Sequence, residues 1–128
     1  MFKKIQLISL VFVLLNQVAD AESEFDFADM MNDVETQIQN VQNLIAAKNS
    51  ANALVDAKKL QDEFKLVEGF FIKRGNSSDA VDNAKLYQEK AVSIQNSLNA
   101  NDFEKAAVAA NDFSTQCRGA CHDKYKPL

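Results

Sequence analysis

The sequence predicts an all-α chain that folds as an antiparallel up-down four-helix bundle after a cleaved signal peptide. Three observations predict it. Apolar residues recur at alternating steps of three and four, glycine and proline number only three and one in 128 residues, and no stretch alternates apolar with polar positions as a strand does. Amphipathic helices joined by short links hide their apolar stripes by packing side by side.

Residues 1–21 read as the leader. Lys3 and Lys4 form a basic start, and Ile5 to Leu15 form an apolar run too short to span a bilayer. Ala19-Asp20-Ala21 supplies a small-x-small cleavage site. Removing 21 of 128 residues leaves 22–128 as one domain of 107 residues, enough for a modest core. Export points to a soluble protein of the periplasm or extracellular space, without a membrane anchor after cleavage. Thiols in such a compartment do not stay reduced unless something occupies them.

The first helix is expected from about Glu24 to Lys48, with Phe27, Met31, Val34, Ile38, Val41 and Ile45 as its stripe. The second starts near Ser50 and carries Ala53, Ala57, Leu60, Phe64, Val67 and Phe71. Lys73 and Arg74 charge its last turn favourably, and Gly75 is its stop. The third follows the capping residues Asn76-Ser77-Ser78, with Asp79 and Asp82 near its positive end and Ala84, Tyr87, Ala91, Ile94 and Leu98 as its stripe. The fourth is expected to open at Asn101, with Glu104 as a capping-box partner and Phe103, Ala106, Ala110, Phe113 and Cys117 facing inward. No internal repeat and no low-complexity tract is visible. None of these helices would hold alone in water.

Of 14 basic and 18 acidic residues, the leader takes Lys3, Lys4 and Asp20, which leaves 12 against 17 and a net charge of about −5. No basic stripe is present to neutralise phosphates, so a nucleic-acid partner is not expected. An acidic carrier suits a basic partner, although most acidic surfaces serve solubility alone. No catalytic acid–base pair, nucleophile triad or phosphate loop is visible, and no enzymatic turnover is expected.

The chemistry-bearing residues crowd the carboxyl end. Cys117-Arg118-Gly119-Ala120-Cys121-His122 holds both cysteines and the only histidine. Two thiols ending in Cys-His approximate the c-type haem attachment signature, Cys-x-x-Cys-His, with one extra residue between the cysteines. A haem needs an axial imidazole, and a covalently held haem also needs sulfur beside it. His122 lies nine positions beyond Phe113, about half a turn off the buried stripe on a regular helix. A π-bulge between Phe113 and His122 would rotate the imidazole inward, and would let the three-residue spacer act like two. On a straight helix the alternative is a Cys117–Cys121 bridge between residues four apart, beside a solvated histidine. A zinc site built on these residues lacks an evident fourth ligand.

A second axial group is sought across from His122, and thioether sulfur is a common choice. Beyond the initiator the methionines are Met30 and Met31. In an up-down bundle the start of the first helix lies beside the end of the fourth, and Met31 sits in the stripe while Met30 is offset by one. The bland alternative for Met31 is core filling.

These residues resemble the soluble cytochrome b-562 family and its relatives, the cytochromes c′, over nearly the whole chain after the leader. The ending Arg118-Gly119-Ala120-Cys121-His122-Asp123-Lys124-Tyr125-Lys126 is similar to that family's, with arginine four before the ligand histidine. Phe27, Met31, Val34, Ile38 and Val41 match the spacing of its first helix. The resemblance implies one haem per chain, with Met31 and His122 as the axial pair and Arg118 near a haem edge or propionate. Typical b-type members lack the cysteine pair. Attachment through Cys117 and Cys121 (c-type) and non-covalent b-type binding therefore both stay open. The implied function is a periplasmic one-electron carrier serving redox partner proteins. The alternatives are a gas-binding protein resembling cytochrome c′, its sixth position open to NO or CO, and a haem-free helical adaptor stapled by a disulfide.

Overall fold

The computed structural model describes residues 26–122, with side chains as far as Cys117. Residues 1–25, which include the expected leader, and residues 123–128, which include the Asp123–Lys126 ending, lie outside the described residues. Four helices follow in order: α1 Phe27–Ala46, α2 Ser50–Arg74, α3 Ser78–Asn99 and α4 Phe103–His122. Each packs on its chain neighbours and α1 also meets α4, closing a ring, and across its middle Phe64 of α2 reaches Phe113 of α4. The architecture is the expected four-helix bundle, with the starts of α1 and α3 beside the ends of α2 and α4. None of the described helices is long and apolar enough to cross a membrane.

The stripes of α1 and α2 bury the anticipated residues, and α3 adds Ala80. Midway along the bundle Phe64, Tyr87 and Phe113 form a triad with ring centroids 5.0–5.5 Å apart. At the end shared by the start of α1, Phe27 stacks on Phe70 and meets the edge of Phe71, both at 5.5 Å. Such aromatic contacts add about 0.5–1.5 kcal/mol beyond burial and fix how the helices rotate against one another.

Two links and the course of α4 depart from the sequence-based expectations. The fourth helix is capped by Asp102, not Asn101: Asp102 Oδ1 accepts from Lys105 N at 3.0 Å. Asn101 instead takes φ 53°, the left-handed conformation that ends α3, so Glu104 is not in capping-box position. Ser77 occupies the N-cap position of α3 without a side-chain capping bond, its hydroxyl donating to Gly75 O at 3.2 Å. Finally, α4 is an unbroken α-helix through His122, so the π-bulge expected between Phe113 and His122 is absent. The i→i−4 ladder continues through this stretch and accommodates no extra residue. On this backbone, position 122 lies about half a turn from that of Phe113.

The structure also reveals a repeat that the sequence conceals. The six buried residues of α1 recur in α3 exactly 53 positions later, Phe27/Ala80 through Ile45/Leu98. The first four of α2 recur in α4 at the same displacement: Ala53/Ala106, Ala57/Ala110, Leu60/Phe113 and Phe64/Cys117. The turns repeat as well. Lys48 and Asn101 both have left-handed backbones, and Asn49 N and Asp102 N donate to Leu44 O and Ser97 O at 2.8 and 2.9 Å. Both are Schellman turns leading straight into an N-cap. The described residues form two helical hairpins of one design, and residue sizes differ between the copies: Phe27, Met31 and Ile38 answer to alanines at 80, 84 and 91.

Candidate functional site

The pseudo-symmetry shows where the two halves differ. In the α2–α3 seam, Gln95 Nε2 donates to Gln61 Oε1 at 3.0 Å. Gln88 Nε2 donates to Glu68 Oε2 at 2.6 Å and to Phe64 O at 3.3 Å. Phe64 fills the space beneath these amides, fully buried between Tyr87 and Phe113.

The corresponding α1–α4 seam is built from the same register with different residues. Gln42 answers to Gln95, Glu35 to Gln88, Ser114 to Gln61 and Cys117 to Phe64. Two long side chains of α2 are thus replaced on α4 by short ones. Gln42 and Ser114 form no hydrogen bond matching the Gln95–Gln61 clasp, because a serine cannot span the distance a glutamine spans. A cleft of about 160 Å³ remains. Met31, Val34 and Ile38 of α1 supply its apolar wall, Glu35, Gln39 and Gln42 its polar side, and Ser114 and Cys117 face them from α4.

Met31 and Cys117 therefore line one cleft from facing helices, each nearly buried at 6% and 8% exposure. Met31 is held by its place in the α1 stripe, one turn after Phe27, and Cys117 by its place one turn after Phe113. Met30 is only partly buried against the core. The side chains of Arg118, Cys121 and His122 lie outside the described ones; their backbones continue α4 for the turn beyond Cys117. Among the described residues no group of three or more His, Cys, Asp or Glu side chains could hold a metal ion.

Two buried sulfurs suit a soft metal centre or a porphyrin iron, since thioether and thiolate are established haem ligands. The volume is the limiting quantity. Pockets for drug-sized ligands measure roughly 300–1,000 Å³, so this cleft admits the edge of a macrocycle and not the whole of it with α1 and α4 as close as they are. Sequence reasoning reached Met31 and Cys117 through their stripes. It missed Glu35, Gln39, Gln42 and Ser114, which become lining residues only because the seam is open. Their signal was the 53-residue register, hidden because the repeat preserves burial and not residue identity.

No family model, curated protein or solved structure matches this chain.

Proposed function

We propose that this chain is an exported haem protein that carries single electrons in the periplasm, holding one haem in the α1–α4 seam at the Met31–Cys117 level. The observation that carries the reading is the meeting of Met31 with Cys117, the first residue of the Cys-x-x-x-Cys-His segment, in one cleft. The resemblance to the cytochrome b-562 family supports it through the same residues. In this reading His122 and Met31 hold the iron, Cys117 and Cys121 are available for thioether attachment, and Arg118 lies toward a propionate.

Bound haem supplies a reversible one-electron change at its iron. The chain's own contribution is to bind and enclose. Met31 presents a thioether from a wall of Val34 and Ile38, which excludes water from that side. Burial and ligand identity set the potential, and two strong ligands would favour electron transfer over ligand exchange.

A test is the absorption spectrum of the mature protein, oxidised and reduced, with and without CO. Low-spin six-coordinate bands in the wild type, converted to high-spin in Met31→Ala, support the proposal. Ready CO binding by the reduced wild type favours the gas-binding alternative. Haem that survives acidified-acetone extraction indicates thioether attachment.

A second reading is favoured by the unbroken course of α4. Without an inserted residue, the phase argument for an inward His122 loses its basis, and positions 117 and 121 lie one turn apart. A haem-free helical adaptor with a Cys117–Cys121 bridge is consistent with that backbone. A colourless preparation from haem-replete cells, with no Soret band on hemin addition, would select it.

A further inference from the structure

We propose that the outer face of the α1–α2 seam, where Met30, Leu66 and Phe70 lie beside Asp29, Asp33 and Glu63, docks a basic amphipathic segment of another protein. An apolar side chain of that segment covers Leu66, and a lysine or arginine enters between Asp33 and Glu63. The inference goes beyond the haem reading and rests on no part of it: α1 turns one edge to the Met31–Cys117 cleft and the other to this face.

Spacing builds the face. On α2, Lys59, Glu63, Leu66, Phe70 and Lys73 follow at alternating steps of four and three, one row along the helix. On α1, Asp29, Asp33 and Gln37 make the facing row. The rows are set against each other by Phe27, which stacks on Phe70, and by Asp33, which acts on Glu63 across the seam. Met30 lies three before Asp33 and Leu66 three after Glu63, so on antiparallel helices they share a level. Met30 and Phe70 are partly buried against the core, and Leu66 beside them is 57% exposed. An apolar side chain standing singly on a surface needs no partner. Leu66 differs in having apolar neighbours on one side and an unsatisfied acid on the other.

The lysines stand at the ends of the row and the centre is acidic. Among the described residues Asp29, Asp33 and Glu63 make no ion pair. Glu63 Oε2, shut off from water, receives no hydrogen bond. Lys59 opposes the crowding of charge without closing an ion pair. The repeat shows that the fold does not require this arrangement. At the matched positions of the second hairpin, Asp33 and Glu63 become Leu86 and Gln116, and the Gln116 amide donates to Asp112. The first hairpin thus keeps two facing carboxylates that the same pair of helices can be built without. Burial and Asp33 hold the Glu63 carboxyl above its ordinary range, and perturbations of that kind gather at functional sites. A partner's cation meets a desolvated acceptor here and forms a charge-assisted bond. The sign of the charge selects the partner: a basic amphipathic helix fits, whereas nucleic acid and anionic lipid are repelled.

The experiment titrates the mature protein at pH 8 with a helical peptide of leucines on one face and lysines on the other, followed by calorimetry. Leu66→Ser is expected to weaken binding at least about tenfold. Glu63→Gln and Asp33→Asn should each weaken it about threefold, with a shallower dependence on salt. Leu86→Ser and Val108→Ser, exposed positions on α3 and α4, should bind as the wild type does. Glu63→Gln is the sharpest variant, because it removes a strained charge: it should raise stability while lowering affinity, and a merely structural role would not move the two in opposite directions. Unchanged affinity in Leu66→Ser or in Glu63→Gln overturns the proposal. So does an equal loss in Leu86→Ser, or a wild type that binds no peptide. Partition onto phosphatidylglycerol vesicles through Leu66, with no peptide bound, gives the face to a membrane and overturns it as well. The result is read alike with or without bound haem, so a failure of the haem reading leaves it in place.

Discussion

Glu63 is the place where this bundle carries a measurable electrostatic cost. It lies on α2, half-buried, with Oε2 shut off from water and without a hydrogen-bond partner. Burial raises its carboxyl pKa from 4.5 to about 7, Asp33 on α1 adds to the rise, and Lys59 opposes it. The folded protein therefore binds this proton more tightly than the unfolded chain does. Below pH 4.5 both states are protonated and the group costs nothing. Between 4.5 and about 7 the unfolded chain has released the proton while the folded one retains it, so stability falls as pH rises and stays reduced above that window. For a fully shielded carboxylate the displacement corresponds to roughly 3 kcal/mol. Water screens part of this one, which brings the expected cost to on the order of 1 kcal/mol. Glu63→Gln removes the charge while keeping the shape. Urea unfolding should then show the variant more stable than wild type at pH 8, with a midpoint higher by roughly 1 M for a slope near 1 kcal/mol/M. At pH 4.5 the two proteins should nearly coincide. Asp33→Asn should move in the same direction by less, since burial is the larger cause. A difference independent of pH, or a Gln variant less stable at pH 8, would refute the reasoning.

Two further outcomes follow from the repeated turns. Lys48 carries a side chain at φ 55°, a conformation that glycine adopts without the usual penalty of about 1–2 kcal/mol. Lys48→Gly should accordingly raise the unfolding free energy by up to about 1 kcal/mol, and a lowered thermal midpoint would contradict the assignment. The capping difference between α3 and α4 gives a paired comparison. Asp102→Ala removes the bond to Lys105 N and should cost about 1 kcal/mol. Ser77→Ala breaks no capping bond and should cost distinctly less; equal losses in urea titrations would argue against the two caps as described.

Much of the fold was legible because helix formation and burial are set by spacing. Phe27, Met31, Val34, Ile38, Val41 and Ile45 lie at steps that place them on one side of a 3.6-residue helix, whatever the neighbouring helices are. Gly75 likewise announces the end of α2, because its φ of 71° is cheap for a residue without a Cβ. Asn101 and Asp102 were harder to separate. Either is a good cap, and the choice depends on which one takes the left-handed conformation when α3 closes on its Schellman bonds. The course of α4 was misjudged for a related reason. The argument for a π-bulge started from what His122 would need, whereas the backbone follows its own hydrogen-bond ladder.

By itself, then, the sequence determined four amphipathic helices, their order, their short links and the faces they bury, because each is a local or periodic property. It also placed its two cysteines, its histidine and Met31 at helix ends that an up-down bundle brings together. Only the tertiary structure decided that the two hairpins repeat each other at a displacement of 53 residues, since that equivalence lies in burial and turn geometry and not in residue identity. The structure alone likewise decided which seam closes and which stays open. Gln61 with Phe64 and Ser114 with Cys117 occupy the same register, and their difference in length becomes a cleft only when a second helix is laid against them.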